Sequence, residues 1–337
     1  MDGRQSLRAR GEAGSMTGAR ALALAVLLGL ARPSAAQLAE PMQIRNLNPL
    51  VAIFGLPAWD TVAPGNRLGA SLELANHFEF ATAGGESLSL DGETARTTLS
   101  FAHGFDRGWW VGAELPVFHI GGGVLDDPID AWHSTFNLPD GGRNKRPEGD
   151  LRFVLGHSGS VFFRLDEPQS GVGDVQLKIA RGFGADLGLV IEAGVKLATG
   201  DEQMLAGSGS SDEWLTLLRT RPLPGRRYPA GYYWGVGVLH AGDPVAIEFP
   251  AETWVYTAIL GGSWQRWPKF GLKAQLDVHT PFYDSPLEEI GETAFEVTFG
   301  AWMNRADRAR LEFALVEDIR VNTAPDVVLK IAAHWSW

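Results

Sequence analysis

The last eleven residues of the chain, VVLKIAAHWSW, alternate between apolar and polar side chains with a period of two. In an extended strand, Leu329, Ile331 and Trp335 fall on one face, and Lys330 and His334 fall on the other. Such a strand places its apolar face either in a soluble core or in a lipid bilayer. The run alone does not decide between these two environments, so the question becomes whether the rest of the chain repeats it.

The same alternation recurs from residue 68 to the last residue. Together with the closing run, it predicts about twelve strands of roughly 9 to 11 residues, which is the length that crosses an outer membrane at a tilt. The clear runs cover residues 68–75, 96–101, 109–117, 174–180, 187–198, 271–279, 295–301 and 310–315, and weaker runs cover 214–219, 232–239 and 254–264.

The connections between these runs alternate between short and long. HGFDRG, RGFGAD, QRWPKF and NRADRA are short, whereas EFATAGGESLSLDG and the whole stretch 119–171 are long. Outer-membrane barrels show this alternation, because their strands are joined by short turns on the periplasmic side and by long loops on the external side. One turn on the short side, RPLPGRRYPAG, is lengthy. Within 119–171, the segment GSVFFRL predicts either a short hairpin above the membrane or an added strand.

The sign of the charge also differs between the short and the long connections. Basic residues such as Arg107, Arg266 and Arg305 concentrate in the short connections, and acidic residues such as Asp201 and Asp284 concentrate in the long ones. A soluble β-sandwich or a periplasmic barrel, the alternative folds, has no reason to sort loops in this manner. Residues 68–337 are therefore predicted to form an all-β, transmembrane, antiparallel up-and-down β-barrel of about 12 strands, with short periplasmic turns and long extracellular loops.

Residues 1–36 have the pattern of a secretory signal peptide. Arg20 precedes the apolar run ALALAVLLGLA, and Ser34 and Ala36 occupy the small-residue positions of a cleavage site. The run is shorter than the about 20 residues that a membrane-spanning helix needs, and a buried core helix is the alternative interpretation. Met16 is a second candidate start. These features predict export to the outer membrane of a Gram-negative bacterium, with residues 37–67 as a periplasmic N-terminal segment.

Aromatic side chains near strand ends are expected at the two membrane interfaces. Trp110 cannot share the lipid-facing side of a regular strand with its neighbour, so it is expected in the lumen or at the turn. The apolar final strand ending at Trp337 resembles the signal that barrel-insertion machinery recognises. That machinery, outer-membrane lipid and lipopolysaccharide are the expected partners. The residues assigned to the interfaces are Trp109, Trp264, Trp302, Trp335 and Trp337.

Five segments resemble those of an uncharacterised family of proteobacterial outer-membrane proteins, domain of unknown function 3187, over nearly the whole mature chain. They are RNLNPLVAIFGLP, GGVLDDPIDAWHSTFNLPDGGR, GVGDVQLKI, KLATGD with GSGSSD, and VEDIRVNTAPDVVLKI. More loosely, the Gly-Asp strand start and the Thr-Gly-Asp loop are similar to barrels associated with the meta pathway of phenol degradation, which are regarded as uptake channels. Ala198 departs from the family, which more often has proline there. The resemblance implies a fold and a location but no established activity.

Several function classes are disfavoured. A net charge of -11 argues against nucleic-acid partners, and the lack of cysteine excludes disulfides and thiolate metal sites. His133, Ser134 and Asn137 lie close together in WHSTFNLPDGGR, but the Gly-x-Ser-x-Gly elbow is missing, and an adjacent His and Ser do not easily form a triad. The chain is therefore predicted not to be an enzyme, and no cofactor is expected.

An acidic cluster in the longest external connection is a weak candidate metal site. Its carboxylates could bind Ca²⁺ or Mg²⁺ and bridge lipopolysaccharide, although a solvated acidic loop is the favoured interpretation. The cluster consists of Asp126, Asp127 and Asp130.

The predicted inward face carries a nearly balanced set of acids and bases. Because a buried charge without a partner is costly, these groups either pair across strands or face water. About twelve strands lie between the eight that side chains fill and the 16 to 18 that leave a channel. We therefore expect a passive channel for a small solute or, alternatively, a non-conducting structural or surface-interaction barrel that acts through its acidic external loops. The candidate lumen-lining residues are Arg96, Glu114, Lys178, Glu192, Lys196, Lys273, Asp277 and Glu296.

Overall fold

A computed structural model describes residues 39–126, 131, 149–184, 186–223, 228–306, 308–320, 323–325 and 327–337. The predicted signal peptide, Met16 and most of the acidic cluster lie outside these residues. None of the helices in the described part of the chain is long and apolar enough to cross a bilayer.

Twelve antiparallel strands of the described chain close into a barrel, which confirms the predicted fold class and strand number. The first and last strands pair with each other, with Leu72 opposite Ile331, so the barrel of twelve strands has no free edge. The barrel strands are β1 (Gly65–Ala83), β2 (Glu86–Gly104), β3 (Trp109–Gly121), β7 (Gln176–Phe183), β8 (Leu189–Lys196), β9 (Asp212–Leu223), β10 (Ala230–His240), β11 (Trp254–Trp267), β12 (Phe270–His279), β13 (Ala294–Ala306), β14 (Ala309–Asp318) and β15 (Val327–Ser336).

The two faces of the barrel wall have opposite polarity. Apolar side chains such as Leu72, Leu99 and Ile331 are about half exposed on the outer face, while Glu73 and Lys330 are buried on the inner face. This arrangement inverts that of a soluble protein. It follows from the period of two, because the outer face contacts lipid and the inner face encloses the lumen.

The connections at one end of the barrel are short, and we call it the turn end; the opposite end is the loop end. The expected long connection after the first strand is instead part of a continuous hairpin, because β1 and β2 both extend to a two-residue turn at Gly84 and Gly85. Both glycines have positive φ, as a tight hairpin turn requires.

Three further strands occupy the described part of the connection between β3 and β7. β4 (Arg152–His157) and β5 (Ser160–Leu165) form a hairpin that pairs with the loop-end half of β2, and β6 (Gln169–Val172) pairs with β3. The extra hairpin predicted from GSVFFRL is therefore present. It lies beside the extended tip of the first barrel hairpin.

Aromatic residues follow the predicted interface pattern with one exception. Trp109, Trp264 and Trp335 are exposed on the outer face, and Trp110 points inward, as expected. Trp302 was expected at an interface, but it is fully buried beneath the guanidinium of Arg310, at 4.8 Å from its ring. The strand alternation explains the difference, because the residues on either side of Trp302 face outward.

Residues 39–62, which we call the plug, lie inside the barrel. Sequence analysis assigned residues 37–67 to the periplasm, whereas the plug is buried or half-buried throughout. It enters at the turn end, where Glu40 contacts Arg310, and reaches the loop end at helix α1 (Pro49–Ala52). It then returns to the turn end and continues into β1. The physical reason is that this segment is too apolar to remain in water, and the lumen offers it both apolar and charged partners.

The plug tip joins an apolar core built by the long connections. Phe54 stacks on Phe282 with ring centroids 4.6 Å apart, and the Tyr283 hydroxyl donates to the Leu50 carbonyl at 2.8 Å. Phe282 and Tyr283 belong to the connection that contains helix α2 (Glu288–Gly291). The loop end of the barrel is thus closed by packed side chains from the connections and the plug.

Candidate functional site

The structure places all eight predicted lumen-lining residues on the inner face of the wall. Asp277 is partly buried, and the other seven are buried. Some are brought together, because Glu114 accepts from Lys178 at 2.5 Å and Lys273 donates to Glu312 at 3.0 Å. The remaining candidates form no described ion pairs with one another. That these residues line a route for a solute remains a prediction.

At the turn end, two carboxylates of the plug contact cations of the wall. The Asp60 carboxylate lies 2.6 Å from Lys178 Nζ and 2.8 Å from Arg67 Nη2. The Glu40 carboxylate lies 2.9 Å from Arg67 Nη1 and 2.8 Å from Arg310 Nη1. Burial opposes ionisation of Glu40, but Arg310 and Arg67 outweigh it, so its pKa lies below the ordinary value. We call this set of five residues the base cluster.

Further along the plug, Arg45 holds the two arms of the plug together and to the wall. Its Nε donates to the Leu56 carbonyl at 2.8 Å, and its Nη2 donates to Glu114 at 2.6 Å and to Gln176 at 3.1 Å. Every partner is buried or belongs to the plug backbone. These bonds satisfy a guanidinium that would otherwise be costly inside the barrel.

Near the loop end, Lys196 forms a buried junction between wall, loop and plug. Its ammonium group lies 2.7 Å from Asp174 and 3.2 Å from Asp212, and it donates to the Ile53 carbonyl of the plug at 3.1 Å. Asp212 also accepts from the backbone N–H of Gly55 at 2.7 Å. We call this set the Lys196 junction. It gives a structural role to the KLATGD and GSGSSD segments singled out in the sequence.

Two glycines of the wall make room for plug side chains. A Cβ atom on Gly235 would lie 2.6 Å from the Trp59 ring, and one on Gly300 would lie 2.3 Å from Met42 Sδ. Both contacts are closer than packed atoms allow, so a side chain at either position would force Trp59 or Met42 to move. The plug backbone also bonds to the wall, since Met42 N donates to Gln275 Oε1 at 2.8 Å. The wall is therefore shaped to hold this segment.

A few buried charges lack an opposite partner in the described part of the chain. Arg96 forms no salt bridge there and packs 5.6 Å from the Phe118 ring, with its Nε unbonded. Asp277 and Glu296 face each other on adjacent strands, and one Glu296 oxygen has no described hydrogen-bond donor. Glu192 accepts only from Trp214 Nε1, at 3.2 Å, among the described residues.

A small cavity adjoins the base cluster. Polar groups from the plug and from the surrounding barrel wall face it, including Gln43, Ser100, Glu114 and His334. The ring of Trp110 also contributes to its lining. The cavity marks a place near the turn end that the plug does not fill.

The candidate external sites receive no further support. Asp126 accepts from Asn76 at 3.1 Å and from the Gly149 N–H at 2.8 Å. No metal-binding group of three acidic or histidine side chains occurs among the described residues. Asp127, Asp130, His133, Ser134 and Asn137 lie outside them.

Sequence reasoning missed the residues of the plug. Glu40, Arg45 and Asp60 were not candidates, because the segment was assigned to the periplasm. One signal could have identified them. RNLNPLVAIFGLP is more apolar than a solvated linker, and its Arg and Asn side chains need buried partners if it packs inside the barrel.

The comparisons with known proteins agree with the barrel fold. Similar solved structures include the COG4313 outer membrane channel from Pseudomonas putida F1, with 13% identity over 84% of this chain and 100% of that chain, and a TM-score of 0.53. The NanC porin (9% identity, 81% and 100% coverage, TM-score 0.43) and the P. putida toluene transporter TodX (11%, 82% and 91%, 0.39) are further examples. At these identities the likeness shows the fold alone.

No curated protein matches the sequence. The profile of a family described as "Protein of unknown function (DUF3187)" matches residues 13–337. Because this match spans nearly the whole chain, the protein belongs to the DUF3187 family, and it has the fold of outer-membrane β-barrels.

Proposed function

We propose that the protein is a gated passive channel for a small solute, closed by its plug and opened when the plug withdraws through the turn end. One observation carries this proposal: the lumen is filled by a separate segment of the chain, residues 39–62, and not only by side chains of the wall. Because this segment is joined to the wall only where it continues into β1, it can leave the lumen, whereas the inward side chains of the wall cannot.

The path of the plug makes withdrawal feasible. Glu40 contacts residues near the starts of β1 and β14, and the Ala63 carbonyl lies against Gly104 at the end of β2, so both arms of the plug lie at the turn end. The plug can therefore leave as a loop without opening any strand pair. Withdrawal of the plug breaks ion pairs, but water can solvate the separated charges once the lumen is open.

The orientation and partners follow from the same proposal. The turn end would face the periplasm, and the long connections would face the outside, in contact with lipopolysaccharide. Export by residues 1–36 and insertion through the final strand ending at Trp337 complete this proposal. The similar structures are channels and porins by name, which supports a role that is not enzymatic.

A second candidate is a non-conducting barrel that acts through its external loops. The apolar packing of the plug tip favours it, because Phe54, Phe282 and Tyr283 form one core with the long connections. In that case the plug would be a permanent part of the core.

A reversible disulfide distinguishes the two candidates. A Cβ atom on Gly55 would lie 3.3 Å from Asp212 Cβ. This is close to the separation of the two Cβ atoms in disulfides, which is about 3.5–4.5 Å. We expect the Gly55→Cys/Asp212→Cys variant to stay closed when oxidised. After reduction its planar-bilayer conductance should rise at least about tenfold, because losing a buried, hydrogen-bonded carboxylate costs about 1–3 kcal/mol and about 1.4 kcal/mol is tenfold.

The chain has no native cysteine, so each single variant serves as a control that should not respond to reductant. A variant lacking residues 40–60 provides the open reference. If the reduced double variant and the deletion variant both show the heat-modifiable gel band of a folded barrel but carry no current, the channel proposal is wrong and the non-conducting barrel is favoured.

A further inference from the structure

The base cluster has the chemistry of a carboxylate-binding site that is already occupied. Its wall residues are Arg67, Lys178 and Arg310, and the groups that they bind are the carboxylates of the plug residues Glu40 and Asp60. Each carboxylate is held by two cations at 2.6 to 2.9 Å, which is the distance range of strong charge-assisted hydrogen bonds. Nothing in this geometry requires that the carboxylates come from the protein itself.

Withdrawal of the plug would leave the wall cations unequally satisfied. Lys178 would keep Glu114 at 2.5 Å, and Arg310 would keep Glu312 at 2.7 Å. Arg67 would lose both carboxylates that it contacts among the described residues, because Glu40 and Asp60 belong to the plug. An arginine that loses both counter-charges leaves a positive potential in a narrow lumen, and low-dielectric walls focus this potential and raise the local concentration of anions.

Arg96 adds positive charge to the wall deeper in the lumen, six residues along β2 from Ala102, the strand partner of Arg67. It directly faces Glu73 on β1, but Glu73 pairs with Lys330 on its other side at 2.9 Å. Two cations therefore share one carboxylate at this level of the wall, and Arg96 has no ionic partner among the described residues. Thr98, the next inward residue of β2 toward the turn end, has a buried hydroxyl that lacks a described hydrogen-bond partner.

The site also lies where a solute could reach it. Arg67 and Glu40 are 21% and 23% exposed, unlike the buried ion pairs deeper in the lumen. The small cavity beside Asp60, Arg67 and Lys178 shows that the plug does not fill this level completely.

We propose that Arg67, Lys178 and Arg310 form a binding site for a small organic carboxylate solute, and that the plug closes the barrel by placing Glu40 and Asp60 in this site. The inference rests on the proposed function, since the site becomes free only when the plug withdraws. The solute and the plug then compete for the same cations. Arg67 is the central residue, because each of its two terminal nitrogens binds a different carboxylate, as two carboxylates of one small dicarboxylate could.

The test uses the full chain in detergent and succinate as the probe. In the Glu40→Gln/Asp60→Asn variant the plug no longer competes, so titration calorimetry should show succinate binding at least about tenfold tighter than to the unmodified protein. Adding Arg67→Gln to this background should weaken binding about tenfold or more, whereas Arg67→Lys should retain part of it. Chloride and the neutral diamide of succinate separate a general anion effect from carboxylate recognition.

Arg181→Gln is the matched control. Arg181 is an arginine near the same end of the barrel, but it lies on the outer face between Trp109 and Phe183, so its replacement should leave succinate binding unchanged. Heat-modifiable migration on a gel verifies that each variant is folded. No succinate binding by the folded double variant, or binding that Arg67→Gln does not change, would overturn the site; binding of chloride as tight as that of succinate would overturn its carboxylate specificity.

Conductance of the double variant in potassium chloride is measured separately. If it conducts but does not bind succinate, the carboxylate site is wrong and the channel proposal stands. If it binds succinate but does not conduct, even when residues 40–60 are deleted, the site stands and the channel proposal is wrong.

Discussion

Replacing Asp60 by asparagine is expected to raise the planar-bilayer conductance of the barrel about a hundredfold. Asp60 is buried and bridges Lys178 and Arg67 at 2.6 and 2.8 Å, and its replacement leaves these contacts without a charge on the plug. Breaking a buried ion pair costs about 3–5 kcal/mol, and the lower value suits this site because Lys178 retains Glu114. Since about 1.4 kcal/mol is tenfold, the balance between plugged and open barrels shifts by about two orders of magnitude.

Asp186→Asn is the matched control for this prediction. Asp186 is 48% exposed and lies 3.9 Å from Arg219, so the same substitution removes only a weak surface pair. Its conductance should equal that of the unmodified protein. A folded Asp60→Asn variant that is as closed as this control would show that the base cluster does not hold the plug in place.

Replacing Lys196 by methionine is expected to cause the largest loss of stability. The ammonium group is 1% exposed and contacts Asp174, Asp212, the Ser208 hydroxyl and the Ile53 carbonyl. Methionine has a similar length but no charge, so it leaves two carboxylates buried side by side. Removing one partner of a buried charged network costs about 3–5 kcal/mol. The urea midpoint of unfolding, followed by loss of the folded gel band, should fall accordingly.

Two further variants define what this result means. Lys269→Met alters an exposed lysine in the short turn between β11 and β12 and should leave the midpoint unchanged. Adding Asp212→Asn to Lys196→Met removes one of the two uncompensated carboxylates and should restore part of the loss. Equal midpoints for the Lys196 and Lys269 variants would contradict the assignment of the junction as a central support of wall, loop and plug.

Features that depend on local periodicity could be predicted from the sequence. The period of two identified the strand count, the lipid-facing residues such as Leu72 and Ile331, and the inward position of charged residues such as Glu114 and Lys196. Each strand exposes alternate residues to lipid and to the lumen regardless of its neighbours. The face on which a residue lies can therefore be predicted from its position in its own strand. The same rule would have placed Trp302 inward if it had been applied to that strand without exception.

The partners of the inward charges could not be predicted in this way. Glu73 lies opposite both Arg96 and Lys330, and only the three-dimensional arrangement shows that its ion pair is with Lys330. Similarly, Arg310 contacts Glu40, which is 270 residues away along the chain. Pairing depends on side-chain reach and on competition among several nearby charges, and neither leaves a pattern in the sequence.

The barrel, its two faces and most of its alternation of turns and loops could be predicted from local patterns, because each follows from contacts of single strands with lipid or water. The folded barrel was needed to show that residues 39–62 fill the lumen, that Glu40 and Asp60 contact Arg67, and that Lys196 joins the plug to the wall. Those contacts link segments far apart in the chain. They form only once the closed barrel brings its inward charges around a shared, poorly solvated space.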